Sequence, residues 1–149
     1  MKWNIRQEKP GDEVAIAEVT RAAFNVKSNA DGTEHTLTRN LREAGALVLS
    51  LVAIEGKKII GHVALSPAKI GDAKCLCLRP VAVHPNHQKI GIGSALVNYA
   101  VAVSGIYGRG GVVLMGDPEF YGRLGFVAAV GTTFCGKPSK YLQIIGFDN

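Results

Sequence analysis

Apolar residues recur with two different periods along the chain, and the period changes at Pro10-Gly11-Asp12. Residues 3–7 alternate well enough for a first strand. The turn that follows predicts a helix start, with Asp12 and Glu13 in the first helical turn. The apolar face of this first helix consists of Ile16, Val19, Ala23 and Phe24. Residues 25–32 are polar and predict a loop.

A second helix is predicted from Glu34, because Thr33 is a suitable N-cap and Gly45 a suitable C-terminal stop. Its apolar face consists of Leu37, Leu41 and Ala44. The pattern therefore predicts two helices before the central part of the chain.

Three strands are predicted next. Residues 47–54 are apolar enough for a strand buried on both faces, and residues 59–66 form its antiparallel partner after a turn at 55–58. A further strand, residues 74–83, ends at His84-Pro85, where proline removes a backbone donor.

A third helix has the most regular pattern in the chain and begins close to Gly91. Its apolar residues follow the helical template without a miss. They are Ile92, Ala95, Leu96, Tyr99, Ala100 and Val103.

The last third of the chain predicts shorter elements. Residues 112–115 form a strand, residues 119–124 a brief helix, and residues 126–130 and 141–145 a final antiparallel pair. Residues 131–139 are too rich in Gly, Thr and Pro for regular structure. These elements predict an α/β fold with a mixed, mostly antiparallel sheet of six or seven strands, flanked by about four helices.

Length and composition predict one globular domain over residues 1–149, since 47% of the residues are apolar and 19% are charged. No apolar run approaches the roughly 20 residues of a membrane helix. The N-terminus lacks the apolar core of a signal peptide, so we expect a cytoplasmic protein without a membrane partner.

The cysteines Cys75, Cys77 and Cys135 form no CxxC pair and are odd in number, which argues against a disulfide framework and a zinc site. Cys75 and Cys77 share a strand face and are expected to be small buried residues without chemistry. His84 and His87 have no third ligand at metal spacing, so no metal is expected.

The net charge of +5 is unevenly distributed. Between Ala73 and Gly116 there is no Asp or Glu, and this favours a polyanion such as a pyrophosphate. The basic residues and histidines of this segment are Lys74, Arg79, His84, His87, Lys89 and Arg109. A sequence pI of about 9.2 also fits nucleic-acid binding. That alternative is weak, because the Lys57-Lys58 pair lacks interleaved aromatic residues.

A glycine-rich turn, QxxGxG at residues 88–93, joins the strand ending at Val83 to the third helix. The first turn of a helix has unpaired amides, and glycine allows close approach, so this turn predicts a phosphate site. The pattern differs from both the P-loop and the dinucleotide fingerprint.

Gln88, Gly91 and Gly93 match the [QR]xxGx[GA] signature for acetyl-CoA, and residues 120–126 look like the later FYxxxGF element. With these motifs in the correct order, the chain resembles the GNAT superfamily of N-acetyltransferases. The resemblance implies acetyl-CoA as co-substrate, bound in a cleft where two strands splay apart.

The resemblance also assigns backbone roles in that cleft. The pantetheine arm would bind the backbone of Val81, Ala82 and Val83. Its pyrophosphate would lie on the turn made by Gln88, Lys89, Ile90, Gly91, Ile92, Gly93 and Ser94. Lys89 departs from the glycine that many family members carry there, and its side chain could add a cation for a phosphate.

The resemblance places Tyr121 as the acid that protonates the sulfur of coenzyme A, and a phenol with a pKa of about 10 carries its proton at neutral pH. Its alternative is a half-buried packing residue. The amide of Val83 would polarise the thioester carbonyl. The general base stays open among Glu34, His62, Asp117, Glu119 and ordered water.

The predicted reaction is direct transfer of an acetyl group to an amine of a small molecule or peptide, without a covalent acyl-enzyme. The alternative function is a non-catalytic acyl-CoA sensor or interaction module with the same fold. A homodimer is compatible with this architecture.

Overall fold

Seven strands form one sheet in the computed structural model, which describes residues 2–25, 34–133 and 139–146. The strands are β1 (Trp3–Gln7), β2 (Leu49–Glu55), β3 (Lys58–Ile70), β4 (Ala73–Val83), β5 (Val112–Met115), β6 (Val127–Ala128) and β7 (Leu142–Ile145). The helices are α1 (Glu13–Phe24), α2 (Glu34–Glu43), α3 (Ile92–Ser104) and α4 (Pro118–Gly122). The strand order is β1-β2-β3-β4-β5-β7-β6, and β4 and β5 are parallel whereas the other neighbours are antiparallel. The predicted mixed, mostly antiparallel sheet is confirmed.

Helix α3 packs its apolar stripe on β2, β3 and β4. Its buried residues are Ile92, Leu96, Val97 and Ala100. Tyr99, which the helical template placed on this stripe, is instead 45% exposed. Gly61 allows the close approach, because a Cβ there would lie 3.1 Å from Leu96 Cδ1 and 3.2 Å from Ile92 Cγ2. The N-terminus of α3 is thereby held over β3.

Helices α1 and α2 lie on the opposite face, with α1 over β3 and β4 and α2 mainly beside α1. The α1 stripe agrees with the prediction, since Ile16, Val19 and Ala23 are buried. The α2 stripe does not. Its buried residues are Glu34 and Thr38, Leu37 and Leu41 are half-buried, and Ala44 follows the helix and is exposed. Because α2 packs beside α1 more than on the sheet, its leucines are only partly covered.

Some boundaries differ from the prediction for clear physical reasons. β3 continues past Pro67 to Ile70, because β2 begins at Leu49, opposite Leu65, so the proline needs no amide partner on that side. α4 begins at Pro118 rather than Glu119, since proline suits the first helical position and the Asp117 carboxylate accepts a hydrogen bond from the Glu119 amide at 3.0 Å. β6 is reduced to two residues.

The pairing between β4 and β5 is short. It comprises only Leu76 with Val112 and Cys77 with Val113. Beyond this point β4 continues along β3 to Val83, whereas β5 continues along β7 to Met115. The two strands therefore splay apart, as the resemblance implied.

Some sequence-based expectations lie outside the described residues: the loop after Asn25, the N-cap Thr33 and Cys135. None of the helices in the described segments combines the length and the apolar composition of a membrane span. The described segments also contain no group of three or more His, Cys, Asp or Glu residues that could hold a metal ion.

Candidate active site

A cleft of about 630 Å³ lies next to the splayed end of β4, between the glycine-rich turn and α4. Eight of the ten residues predicted to hold the co-substrate line it, and so does Tyr121. The eight are Val81, Val83, Gln88, Lys89, Gly91, Ile92, Gly93 and Ser94. The structure thus brings both sequence motifs to one cavity.

Ala82 and Ile90 are the two predicted residues that do not line the cleft. Ala82 is 1% exposed and pairs with His62 of β3. Ile90 is 48% exposed.

The splayed end of β4 directs backbone groups into the cleft. The His84 amide donates to the Ile60 carbonyl at 2.9 Å, and Ala82 is the register partner of His62. Since successive residues of a strand direct their amides and carbonyls to opposite sides, those of Val81 and Val83 face away from β3. In agreement, the Gln88 side chain donates to the Val83 carbonyl at 3.0 Å. This bond also ties the glycine-rich turn to the end of β4.

The glycine-rich turn presents free helical amides to the cleft. The first α-helical hydrogen bond runs from the Ala95 amide to the Gly91 carbonyl at 3.0 Å. The amides of residues 92–94 precede this bond and therefore have no helical acceptors. No side chain caps the helix at Gly91 either. The positive end of the α3 dipole adds to their attraction for an anion.

Two residues of this turn have left-handed backbone. Gly91 has φ of 93°, and Lys89 has φ of 65°. The conformation at residue 89 favours glycine, which explains why a glycine suits this position in the family that the chain resembles and why lysine is strained there. Lys89 lines the cleft all the same.

The basic residues of the acid-free segment do not all serve this cleft. Arg109 instead donates to the Cys75 carbonyl at 2.7 Å and the Ala68 carbonyl at 3.1 Å, so it braces the β3–β4 hairpin. Lys89 and His87 do line the cleft, and Arg123 of the FYxxxGF element adds a cation that composition alone did not single out.

Tyr121 is held between two aromatic rings. It contacts Phe120 at a centroid distance of 4.8 Å and Phe126 at 5.7 Å, both edge to face. Burial, with a smaller contribution from the Asp117 carboxylate, raises the pKa of Tyr121 to about 12. The phenol therefore carries its proton throughout the physiological pH range.

The candidate general bases differ in whether they line the cleft. Asp117 lines the cleft together with Tyr121. Glu34, His62 and Glu119 are not among the described residues that line it. Glu34 is buried in the first turn of α2, and Glu119 is exposed on α4.

His62 belongs to a buried polar chain on the α1–α2 face. Its Nε2 lies 2.8 Å from Ser50 Oγ, and the Ser50 hydroxyl donates to Glu8 at 2.6 Å. Glu8 accepts two hydrogen bonds from Arg42 of α2, at 2.8 and 2.9 Å. Because Ser50 gives its hydrogen to Glu8, His62 must carry its hydrogen on Nε2. The chain thus connects α2 to β2, to β3 and to the residue that follows β1.

Protonation is unfavourable for both His62 and Glu8. Burial lowers the pKa of His62 to about 4. Burial alone would raise the pKa of Glu8, but hydrogen bonds from Arg42 and Ser50 outweigh it and hold that pKa below its usual value. A histidine with so low a pKa is a poor proton acceptor at neutral pH, which favours a structural role for His62.

Acid should destabilise the protein through His62. The unfolded imidazole binds a proton below pH 6.5 and the folded one only near pH 4, so stability falls as the pH drops through this window. We expect the free energy of unfolding to lose about 3 kcal/mol from this group between pH 7 and pH 4. Denaturant titrations of the wild type and His62→Gln at both pH values measure it, because glutamine does not titrate. An equal acid-induced loss in both proteins would contradict the assignment.

The comparisons with known proteins identify the family. Residues 47–128, more than half of the chain, match the model of the acetyltransferase (GNAT) domain. YhbS of Escherichia coli K12, an uncharacterized N-acetyltransferase, is 34% identical over 128 residues, which cover 84% of this chain and 74% of YhbS.

Solved structures give the same result. A GNAT family acetyltransferase from Brucella melitensis, crystallised with acetyl-CoA, has a TM-score of 0.86 and 38% identity, covering 99% of this chain and 89% of that one. The structure of Escherichia coli YhbS in complex with CoA has a TM-score of 0.82 and 29% identity, covering 97% and 81% of the two chains. The chain belongs to the GNAT family of acetyltransferases. The predicted family, enzyme class and co-substrate, an N-acetyltransferase dependent on acetyl-CoA, are confirmed.

Proposed function

We propose that the cleft beside β4 binds acetyl-CoA in an extended form and transfers its acetyl group directly to an amine of a small molecule or peptide. The observation that carries this proposal is the open backbone edge of Val81 and Val83, which ends at the free amides of α3 and lies in the same cleft as Tyr121. A pantetheine arm carries amides that can pair with such an edge, as a strand would.

The pyrophosphate of the co-substrate fits the other end of the cleft. The amides of residues 92–94 offer hydrogen-bond donors, and the left-handed Gly91 keeps side-chain atoms out of their way. Lys89 and Arg123 line the same cleft and supply cations for the phosphate charge. The donor set therefore suits a dianionic group.

The transfer needs a partner for the carbonyl oxygen, for the departing sulfur and for the proton of the attacking nitrogen. The neutral amine attacks the thioester carbonyl, and the Val83 amide stabilises the oxygen as it becomes negative. The carbon–sulfur bond then breaks, and Tyr121 donates its hydrogen bond and then its proton to the departing sulfur. The nitrogen loses one proton, which we assign to ordered water, with Asp117 as the nearby carboxylate in the cleft.

Direct transfer is favoured over an acyl-enzyme on Cys75 or Cys77. Cys75 is fully buried, and burial raises its pKa and that of Cys77. Both thiols therefore stay protonated and poorly nucleophilic at neutral pH.

Calorimetric titration with acetyl-CoA, with NADH and ATP as controls, is the first test. We expect saturable binding of acetyl-CoA alone, followed by release of the free thiol of coenzyme A when a panel of amines and peptides is added. Absence of acetyl-CoA binding by the folded protein would overturn the proposal. Binding without thiol release for any amine would instead support the acyl-CoA sensor.

A further inference from the structure

We infer that Gly116 is a positioning residue for the phenol of Tyr121, because the tyrosine ring lies on the Gly116 backbone at a distance that no side chain permits. The inference rests on the proposed role of Tyr121 in acetyl transfer. It adds a residue that carries no side-chain chemistry and stands outside both sequence motifs.

The contact between the two residues is extreme. A Cβ on Gly116 would lie 2.4 Å from Cε2 and 2.9 Å from Cδ2 of the Tyr121 ring. Carbon atoms without a bond between them come to rest about 3.5–4.0 Å apart. An alanine at 116 would therefore push the ring away by about 1 Å.

The backbone of Gly116 does not itself require glycine. Gly116 is not among the described glycines with positive φ, so alanine can adopt its conformation. Gly91 and Gly125 differ, with φ of 93° and 100°. The approach of the tyrosine ring is thus the reason for a glycine at 116.

The surroundings prevent Gly116 from yielding. Its amide donates to the Tyr141 carbonyl at 3.0 Å, and its carbonyl accepts from the buried Gln143 side chain at 2.9 Å. These bonds fix Gly116 to β7. A larger residue at 116 would have to move the ring, since the backbone is held on both sides.

The backbone that carries the ring is also held in place by hydrogen bonds. The Tyr121 amide donates to the Asp117 carbonyl at 3.0 Å, and its carbonyl accepts from the Phe126 amide at 3.1 Å. Gly116 thus sets how deeply the phenol lies in the cleft. A displacement of about 1 Å at a reacting group can cost on the order of 100-fold in rate.

The test is a double-mutant cycle with Gly116→Ala, Tyr121→Phe and the double variant. We expect Gly116→Ala alone to lower kcat by about 10- to 100-fold, with the Kd of acetyl-CoA unchanged. In the Tyr121→Phe background the same change should lower kcat no further, because the phenol hydroxyl is already absent. An equal loss in both backgrounds, or no loss in the wild-type background, would overturn the inference.

Gly122→Ala is the matched control. It places the same methyl group next to Tyr121 in the chain, yet a Cβ there has no atom within 4 Å and the backbone has no positive φ. Its kcat should equal that of the wild type. A loss equal to that of Gly116→Ala would also count against the inference.

Two readouts do not depend on activity. Burial raises the pKa of Tyr121 to about 12, so displacement of the ring in Gly116→Ala should bring that pKa closer to 10, as followed by tyrosinate absorbance with Tyr121→Phe as the blank. Gly116→Ala should also lower the Tm of the wild type but not that of Tyr121→Ala, which lacks the ring. This second cycle decides the question if Gly116→Ala folds poorly, and an equal Tm loss in both backgrounds would refute the contact.

If Tyr121→Phe alone leaves kcat unchanged, the catalytic role of Tyr121 fails, while the titration and the Tm cycle still report on the ring contact.

Discussion

Replacement of Gly91 by glutamate is expected to weaken acetyl-CoA binding by at least about 100-fold, because it adds two unfavourable effects at the phosphate end of the cleft. A side chain at φ of 93° strains the turn and displaces the first amides of α3. The new carboxylate would also lie beside the pyrophosphate and repel it. Calorimetric titration of the variant measures the loss.

Gly108→Glu is the control for this substitution. Gly108 has φ of 71° and is exposed, and a Cβ at this residue would have no atom within 4 Å, so strain and charge are matched. It follows the C-terminal end of α3, about 20 Å along the helix from Gly91. Its Kd should be that of the wild type. Equal weakening in both variants would show that the Gly91 effect is not local.

Tyr121→Phe is expected to lower kcat by about 100- to 10,000-fold, the usual contribution of a general acid. The Kd of acetyl-CoA should stay unchanged, because the ring and its contacts with Phe120 and Phe126 are kept. Steady-state kinetics with a responsive amine, together with calorimetry, separates the two quantities.

Tyr107→Phe serves as the matched control, since Tyr107 packs half-buried against the core and does not line the cleft. It should retain the wild-type kcat. An unchanged kcat in Tyr121→Phe would assign the proton to another donor, and weaker binding would make Tyr121 a binding residue.

The sequence predicted the elements whose pattern is set by local contacts. Helix α3 starts next to Gly91 because its apolar stripe and its glycine both lie within a few residues. The stripe was misjudged at Tyr99, which is exposed, and at Val97, which is buried, since a helical template cannot tell which edge of the stripe the sheet covers. β3 extends beyond its predicted end, because β2 no longer flanks the strand at Pro67. The sequence alone does not show which strands are neighbours at a given residue.

In the candidate site, too, the features that are local in sequence were predictable and the others were not. The motifs located the glycine-rich turn and Tyr121 because each is contiguous in the chain. The chain of polar contacts from Arg42 through Glu8 and Ser50 to His62 was not predictable, since the participants are brought together only by strand register. Arg109 was grouped with the phosphate cations by composition, yet its fork geometry serves two carbonyl groups of the β3–β4 hairpin.

The short pairing of β4 with β5 also bears on self-association. A strand with an unpaired edge is a template on which another chain can pair, and such edges promote aggregation when they are long and exposed. Here the edge at Val81 and Val83 lies within a cleft between the glycine-rich turn and α4. An intruding strand would carry side chains on both of its faces, whereas a slender, unbranched molecule would not. The walls of the cleft thus protect the protein from strand addition along the part of β4 that has no neighbour on its β5 side.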